Sequence, residues 1–257
     1  MAAQRTRAVG IDIGGTGIKG GIVDLEAGVL LSDRVKVATP PGAEPEDVLA
    51  AVRTVLDTLH ARPDDALGVA FPAVVKQGRT LSAANVSHRW LDFAAEEFFE
   101  KGLKRDIFFA NDADVAGIAE LRYGAARGVG GLTILTTLGT GIGSALLYEG
   151  TLIPNSELGH LQRAGADADA EAFAAYSAME RDRLDWPEWT ERLQWYYGYL
   201  EALFSPDLFI VGGGVSKHAD KFLDRLKLRT PVVAAVHRNN AGIIGAAALS
   251  VAVDRLR

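Results

Sequence analysis

The sequence predicts an α/β fold built as two lobes, and three observations support this prediction. Short apolar strands alternate with amphipathic helices along the chain, which is the pattern of sheets covered by helices. A strand, a glycine-rich turn and a second strand open the chain at residues 8–25, and the same order returns at residues 132–148. The 257 residues are enough for two lobes. We expect a first lobe over residues 1–117 and a second over 118–257, whose last helix can pack back on the first lobe.

The first lobe is predicted to begin with three consecutive strands, after which helices alternate with further strands. Pro45 and the two acids after it open a helix that carries one apolar face, because proline and acidic side chains favour a helix N-terminus. The predicted strands are 8–13, 18–25, 29–37, 66–71, 73–75, 80–82 and 107–110, and the predicted helices are 45–61, 93–101 and 114–123.

The second lobe repeats this alternation with longer helices. Its predicted strands are 132–138, 144–148, 207–211 and 231–234, and its predicted helices are 165–178, 186–204, the segment from the triple glycine to 226, and 240–253.

Composition restricts the function. The chain is 48% hydrophobic and 23% charged, and its formal net charge is −6, which argues against general nucleic-acid binding because that requires a clustered positive face. The absence of cysteine excludes disulfides and thiolate metal sites. Glycine or charge interrupts the longest apolar runs, and no signal-peptide core is visible at the start. We therefore expect a cytoplasmic protein with neither membrane nor nucleic acid as a partner.

The turn after the first strand is the first candidate site. The run Asp12-Ile13-Gly14-Gly15-Thr16-Gly17-Ile18-Lys19 leads from a strand-end carboxylate into small residues. Glycine lets backbone N–H groups approach phosphate oxygens closely, while Thr16 adds a hydroxyl and Lys19 a cation. A plain hairpin turn is the alternative interpretation, but a strand-end aspartate beside glycines has little structural use.

A second turn, Gly139-Thr140-Gly141-Ile142-Gly143, has the same chemistry. A strand is predicted after it, whereas a dinucleotide-binding fingerprint requires a helix there. This turn alone is weak evidence. Paired with the first turn, it indicates two loops that hold one phosphate chain.

Four further features complete the set of candidate sites. Asn111-Asp112 lies between a strand and a helix, where a carboxylate can accept a hydroxyl proton or where Asp112 or Asp114 can cap the helix. Glu157-Leu158-Gly159-His160 suits a polyhydroxylated ligand, unless His160 is satisfied within its own loop. Asn85 is a candidate ligand or a turn residue. The triple glycine Gly212-Gly213-Gly214 either packs a strand on a helix or leaves an opening for a phosphate chain.

Together these motifs resemble the ROK family of sugar kinases, over nearly the whole chain. The most specific string is residues 150–160, which is similar to short family members that use polyphosphate. The resemblance implies the actin-like, hexokinase-like ATPase fold, with duplicated mixed β-sheets flanked by helices in two lobes. It also implies a glucokinase that phosphorylates the 6-hydroxyl of glucose from inorganic polyphosphate, with ATP open as a second donor.

The resemblance implies a role for each matching residue. Asp112 would be the catalytic base, and Asp12 would position Mg²⁺ through water. Glucose would be held by Asn85, Asn111, Asp112, Glu157 and His160. The phosphates would be held by Gly14, Gly15, Thr16, Gly17, Lys19, Gly139, Thr140, Gly141 and Gly143, and the donor side by Gly212, Gly213, Gly214 and Lys217.

Two expectations concern metal and assembly. Many ROK proteins carry a cysteine-rich zinc cluster shortly after the Glu-Leu-Gly-His match, but this chain has no cysteine, so we expect no structural zinc. His160 then contacts sugar or packs the loop. The family expectation is a homodimer, and the aromatic residues of segment 186–204 fit either its interface or a core.

Sequence alone leaves the donor and the acceptor open. Lys217, His218, Lys221 and Arg225 have the spacing of a helix face that can guide a polyanion, although a solvated charged face is the ordinary alternative. A strictly ATP-dependent hexokinase, a kinase for mannose, glucosamine or an N-acetylhexosamine, and a non-catalytic sugar sensor are the other functions considered. Retention of Asp12, Lys19 and Asp112 disfavours the sensor.

Overall fold

The structure is a computed structural model, and it describes residues 6–83, 86–163, 165 and 167–251. Its strands are β1 (Arg7–Gly14), β2 (Gly17–Asp24), β3 (Val29–Leu30), β4 (Val35–Ala38), β5 (Ala66–Phe71), β6 (Val75–Lys76), β7 (Arg79–Thr80), β8 (Phe108–Asn111), β9 (Leu132–Leu138), β10 (Ile142–Tyr148), β11 (Thr151–Ile153), β12 (Leu208–Gly212) and β13 (Val232–Ala234). Its α-helices are α1 (Pro45–Thr58), α2 (Ala95–Leu103), α3 (Asp112–Tyr123), α4 (Ala170–Ala174), α5 (Tyr176–Arg181), α6 (Trp186–Phe204) and α7 (Ala241–Ser250).

The chain divides into two compact units. The first comprises Met1–Ala119 together with Asn240–Arg257, and the second comprises Glu120–Asn239. The expected ranges 1–117 and 118–257 follow chain order, and they differ from this division mainly in the last segment. That segment joins the first unit because α7 packs on β1 and β5.

The first sheet has the strand order β3-β2-β1-β5-β8, and β4 also pairs with β2. β1 and β2 form an antiparallel hairpin, whereas β5 runs parallel to both β1 and β8. The predicted strand 29–37 is wrong, because it is two strands. Between them the Ser32 hydroxyl accepts a hydrogen bond from the Ile22 N–H at 3.0 Å, where a backbone carbonyl would continue the ladder.

The second sheet has the order β11-β10-β9-β12-β13. β9 and β10 are antiparallel, and β12 runs parallel to β9. Each unit therefore contains an antiparallel hairpin extended by a parallel strand, which confirms the predicted duplication of mixed sheets. In both units the carboxyl ends of the parallel strands meet at one edge of the sheet, where ligands of open α/β sheets bind.

Local sequence accounts for the best-predicted helices. α1 begins at Pro45, as predicted, and buries Val48, Val52 and Val55. α6 has the predicted bounds because Asp185 and Glu188 form a capping box, in which each carboxylate accepts a backbone N–H of the other residue at 2.9 Å.

Two predicted helices are wrong. Segment 165–178 contains α4 and the first part of α5, which are separated by the extended backbone of Ala175. The segment after the triple glycine is not an α-helix but 3-10 turns at Gly214–Lys221 and Leu223–Arg225, with a kink at His218. The expected α-helical face of cations is therefore wrong for Lys217, His218, Lys221 and Arg225. Helical spacing no longer supports the prediction that these residues guide a polyanion.

Each unit has its own aromatic core. Phe71, Trp90 and Phe99 are fully buried in the first unit. In α6, Trp189, Tyr196 and Tyr197 are fully buried, so these three belong to the core of the second unit, while Tyr199 of the same helix is 39% exposed. The homodimer stays a prediction. Among the described helices, none is long and apolar enough to cross a membrane.

Buried Glu120, the first residue of the second unit, ties three backbone groups together. Its carboxylate accepts hydrogen bonds from the N–H groups of Ala125 at 2.8 Å, Val236 at 3.1 Å and His237 at 2.8 Å. The end of α3 is thereby fixed to the segment that leads back towards α7. A buried carboxylate requires such partners, since burial of an unpaired charge is costly.

Helix α7 packs against β1 and β5 at backbone distance. A Cβ atom on Gly10 would overlap the carbonyl of Ile243, and one on Gly68 would overlap the carbonyl of Ala246. Glycine at these strand positions is therefore a requirement of packing. The contact brings the start of α7 to the end of β1, where the first candidate site lies.

We expect Gly68→Ala to lower the free energy of unfolding by about 1–3 kcal/mol, because the new methyl group forces α7 away from β5. Urea denaturation followed by circular dichroism measures this loss. Gly130→Ala is the matched control, because a Cβ atom there meets nothing within 4 Å. Equal losses in the two variants would contradict the packing argument.

Candidate active site

The first cluster of candidate residues lies at the carboxyl edge of the first sheet. Asp12 lies opposite Ala70 of β5, and Asn111 lies opposite Phe71 of the same strand. The Asp12 carboxylate accepts a hydrogen bond from the Lys19 ammonium at 3.1 Å, and both side chains are partly buried. Strand order thus brings together motifs that are about a hundred residues apart in the sequence.

Helix α7 contributes to the surroundings of Asp12. A Cβ atom on Gly242 would lie 2.8 Å from the Asp12 carboxyl carbon, so the first turn of α7 touches this carboxylate. The N-terminal end of a helix carries partial positive charge. The start of α7 therefore places partial positive charge beside the Asp12 carboxylate.

The first glycine turn is a tight hairpin. Gly14 pairs with Gly17, and Gly15 and Thr16 are exposed at the tip. The Thr39 hydroxyl, just beyond β4, donates to the Gly14 carbonyl at 2.5 Å and fixes the turn from one side. The tip of the turn is therefore accessible to a ligand.

Asn111 and Asp112 make different hydrogen bonds at the start of α3. The Asn111 side-chain oxygen accepts hydrogen bonds from the N–H groups of Ala113 at 2.9 Å and Asp114 at 3.0 Å, and its amide nitrogen donates to the Ala73 carbonyl at 3.0 Å. Asn111 is therefore the main cap of α3, whereas the sequence suggested Asp112 or Asp114. Asp112, half-buried at the first position of α3, accepts a hydrogen bond from the Ala113 N–H at 2.8 Å through one oxygen. Asn85 lies outside the described residues.

Residues of α4 and α5 hold the second glycine turn. The Glu171 carboxylate accepts a hydrogen bond from the Ile142 N–H at 2.7 Å, and a Cβ atom on Gly141 would collide with that carboxylate. The Ser177 N–H donates to the Gly139 carbonyl at 3.1 Å, and its hydroxyl donates to the Thr140 carbonyl at 2.6 Å. These contacts fix the backbone of the turn before any ligand binds.

The triple glycine lies beside this second turn. Gly212 pairs with Thr137 of β9, and Gly213 has a φ of +79°. A Cβ atom on Gly213 would overlap the backbone of Leu138, so only glycine fits this approach. The structure thus brings Gly212 and Gly213 next to the Gly139–Gly143 turn.

The Glu157–His160 segment forms a 3-10 turn that is docked on β10. The Leu158 N–H donates to the Ser144 hydroxyl at 3.0 Å, and a Cβ atom on Gly159 would collide with the Ile142 carbonyl. Glu157 and His160 are therefore carried next to the second glycine turn. The sequence predicts these residues as ligands, and the structure adds the reason for the glycine between them.

His160 is paired with Asp169, which the sequence did not single out. The His160 Nδ1 atom and an Asp169 carboxylate oxygen are 2.9 Å apart. This hydrogen bond raises the pKa of His160 despite partial desolvation, and the negative charges of Glu171 and Glu157 add to the effect. Desolvation also raises the pKa of Glu157, although part of that residue is exposed.

The predicted donor-side cations are spread out. Lys217 is exposed in the 3-10 turn after the triple glycine. The Lys221 ammonium lies 5.1 Å from the centre of the Trp186 ring, where the aromatic face attracts it. Lys217 stays a predicted donor contact, now without the support of a helix face.

The residues around Asp12 fit a hydrated Mg²⁺ ion. Mg²⁺ is usually bound through one or two carboxylates together with substrate phosphates and water, so a single aspartate beside a phosphate turn is suitable. Among the described residues there is no group of three or more acidic or histidine side chains that could hold a metal ion by itself. The expected lack of a structural zinc stays a prediction.

Sequence reasoning missed Thr39, Asp169, Glu171 and Ser177. All four are polar residues outside the glycine and strand-end motifs, and each acts by bonding to a turn or to His160 from another element. Asp169 alone has a local signal, since it precedes α4 at the N-cap position and accepts a hydrogen bond from the Ala172 N–H at 2.9 Å.

Two mixed sheets, each opening with a hairpin that carries a glycine turn, are the arrangement of the actin-like, hexokinase-like ATPase class of fold. The model of the ROK family matches residues 8–175. The chain belongs to the ROK family.

Individual relatives agree with this assignment. The chain is 45% identical to a polyphosphate glucokinase of Mycobacterium tuberculosis, over 98% of this chain and 94% of that protein. The crystal structure of an inorganic polyphosphate/ATP-glucomannokinase from Arthrobacter sp. strain KM superposes with a TM-score of 0.92 at 51% identity, covering 97% of this chain and 100% of the other. A ROK glucokinase from Streptomyces griseus, in complex with glucose and AMPPNP, gives a TM-score of 0.83 at 26% identity, with coverages of 95% and 98%.

The His160–Asp169 pair predicts a pH-dependent stability. Because the pKa of His160 is raised on folding, its contribution is fully present below the unfolded pKa of about 6.5 and is lost as pH rises through the folded pKa. Asp169→Asn keeps a capping side chain on α4 but removes the charge. We expect its urea midpoint to fall furthest below wild type near pH 5.5 and to approach wild type near pH 8.5.

Asp167→Asn, at a neighbouring exposed acid, is the control and should show no such pH profile. A deficit of Asp169→Asn that is the same at both pH values would show that the ion pair contributes nothing. Titration of the His160 ring by NMR should give a lower pKa in Asp169→Asn than in wild type.

Proposed function

We propose that this ROK kinase phosphorylates glucose at the 6-hydroxyl, with inorganic polyphosphate as the phosphoryl donor. One structural observation carries the chemistry. Asp112 presents a half-buried carboxylate at the start of α3, oriented by the Ala113 N–H, while Asn111 supplies most of the helix cap. The name of the Mycobacterium tuberculosis relative supports the donor and the acceptor.

Asp112 is the general base in this proposal. Its carboxylate accepts the proton of the glucose 6-hydroxyl while that oxygen attacks the terminal phosphorus of the donor. The bond from the terminal phosphorus to its bridging oxygen breaks, which leaves glucose 6-phosphate and a polyphosphate shorter by one unit. The Asp112 carboxylate lies in the first turn of α3, at the end of the helix that carries partial positive charge.

The other residues bind and orient the substrates. Asn85, Glu157 and His160 hold the sugar hydroxyls directly, and Asn111 lies beside the Asp112 base. The raised pKa of Glu157 does not prevent it from accepting hydrogen bonds, since either form of a carboxyl group offers an acceptor oxygen. Asn111 acts chiefly by fixing the start of α3, because its oxygen is already occupied by two N–H groups.

The glycine turns orient the donor. Gly14–Gly17 with Lys19, and Gly139–Gly143 with the neighbouring Gly212–Gly214 and Lys217, direct N–H groups and cations towards phosphate oxygens. Asp12 would hold Mg²⁺ there, and the ion would supply positive charge that neutralises the phosphates. Positioning and charge neutralisation account for most of the acceleration in phosphoryl transfer.

ATP and mannose are second candidate substrates, favoured by one observation. The Arthrobacter relative, which is 51% identical, is named a polyphosphate/ATP-glucomannokinase. The same turns can hold the phosphates of ATP, because both donors end in the same type of phosphoanhydride.

A coupled assay with Mg²⁺ tests the donor and the acceptor. We expect glucose 6-phosphate from nucleotide-free polyphosphate as sole donor, and the rate with ATP then gives the donor preference. Activity on ATP alone would reject polyphosphate but keep the kinase. Sugar binding without turnover on glucose or mannose, with either donor, would point to the sensor.

We expect Asp112→Asn to fold normally and to lose at least about 10²-fold in kcat, because asparagine keeps the acceptor for the Ala113 N–H but cannot take a proton. Steady-state kinetics and the unfolding midpoint measure the two effects. Asp106→Asn, at an exposed acid before β8, is the control. An Asp112→Asn enzyme that keeps more than about a tenth of wild-type kcat would remove Asp112 from the role of base.

A further inference from the structure

Three charged residues form a row across the first sheet. Asp12 of β1 is the register partner of Lys19 of β2, and Lys19 is the register partner of Lys36 of β4. Register partners in antiparallel strands project from the same face of a sheet. Asp12, Lys19 and Lys36 therefore lie side by side, and the exposed Lys36 is the outermost.

The side chain of Lys36 lies against the first glycine turn. A Cβ atom on Gly17 would come within 2.7 Å of the Lys36 Cε atom. The φ of Gly17 lies outside the left-handed region, so glycine is not required there by the backbone conformation. The missing Cβ instead provides room for the stem of Lys36 beside the turn.

The charges in this row do not balance. The Asp12 carboxylate pairs with the Lys19 ammonium at 3.1 Å, whereas Lys36 forms no ion pair in the part of the chain that the structure describes. Like charges directly opposite each other on a sheet are unfavourable. Lys36, exposed opposite Lys19 and beside the first glycine turn, therefore adds a positive charge that an anion bound at this edge of the sheet would neutralise.

We propose that Lys36 binds a phosphate of the donor beyond the one that is transferred, and that it thereby favours polyphosphate over ATP. This inference rests on the proposed function. A polyphosphate chain carries negative charge on every unit, so a cation set back from the transferred group always meets a phosphate. ATP offers only three phosphates before its sugar and base, and so gains less from an additional cation.

The test compares Lys36→Gln and Lys36→Arg with Lys76→Gln, which removes an exposed lysine of β6 in the same unit. We expect Lys36→Gln to raise the KM for polyphosphate about tenfold, as for loss of one charge-assisted contact. The KM for ATP should rise less, the KM for glucose should not change, and kcat should fall less than KM rises. Lys36→Arg should recover most of the loss, and Lys76→Gln should resemble wild type.

The salt dependence of KM and the unfolding midpoint distinguish a donor-binding role of Lys36 from a structural one. The KM of wild type for polyphosphate should rise more steeply with salt than that of Lys36→Gln, because one fewer phosphate contact is screened. The unfolding midpoint of Lys36→Gln should equal or exceed that of wild type, since a like-charge contact with Lys19 is relieved. A lower midpoint with an unaltered KM would make Lys36 structural.

Two kinetic outcomes would overturn the proposal: an unaltered KM for polyphosphate in Lys36→Gln, or equal rises of KM for polyphosphate and ATP. Failure of the proposed function appears separately, as a wild-type enzyme inactive on polyphosphate. In that case, calorimetric titration with inorganic tripolyphosphate still tests the contact, because binding equal in wild type and Lys36→Gln rejects it.

Discussion

The close approach of α7 to β1 and β5 is the constraint on which the first unit depends. Gly10 and Gly68 let the helix backbone touch the strands, so the chain that leaves this unit within α3 returns to complete it. Because the first turn of α7 then rests against Asp12, packing in the core also sets the electrostatic surroundings of a candidate site residue. A small residue in a strand thus serves stability and chemistry through the same contact.

Both glycine turns owe their shape to side chains from other elements. Thr39 fixes Gly14, while Glu171 and Ser177 fix the Gly139–Ile142 backbone. Donors whose direction is fixed before the ligand binds need no reorganisation during reaction, which is the basis of electrostatic preorganisation. The glycines make close approach of the ligand sterically allowed, and the anchoring side chains determine where their N–H groups point.

Sequence reasoning succeeded where the signal is local. The β9 strand and α6 have their predicted bounds, because an uninterrupted β-prone run and a capping box identify them within a few residues. It failed for the helix after the triple glycine, where the 3-10 turns kink at His218, and for the strand that Ser32 divides. Sequence reasoning did not identify Asn111 as the cap of α3, because the Asn111 side chain is also held by the distant Ala73 carbonyl. It did not identify the His160–Asp169 pair either, because the two residues are nine positions apart.

A protein with a net charge of −6 can nonetheless use a polyanionic donor if its cations are placed by strand register rather than concentrated in a patch. Screening limits the reach of exposed charges to about 10 Å, so the bulk charge matters less than the groups beside the donor. Residues 217–225 do not form an α-helical face, so they do not supply a regular row of cations. Strand register does place Lys19 and Lys36 side by side, next to Asp12. One carboxylate offsets one lysine there. In the proposed function the second lysine binds the next phosphate of the polymer.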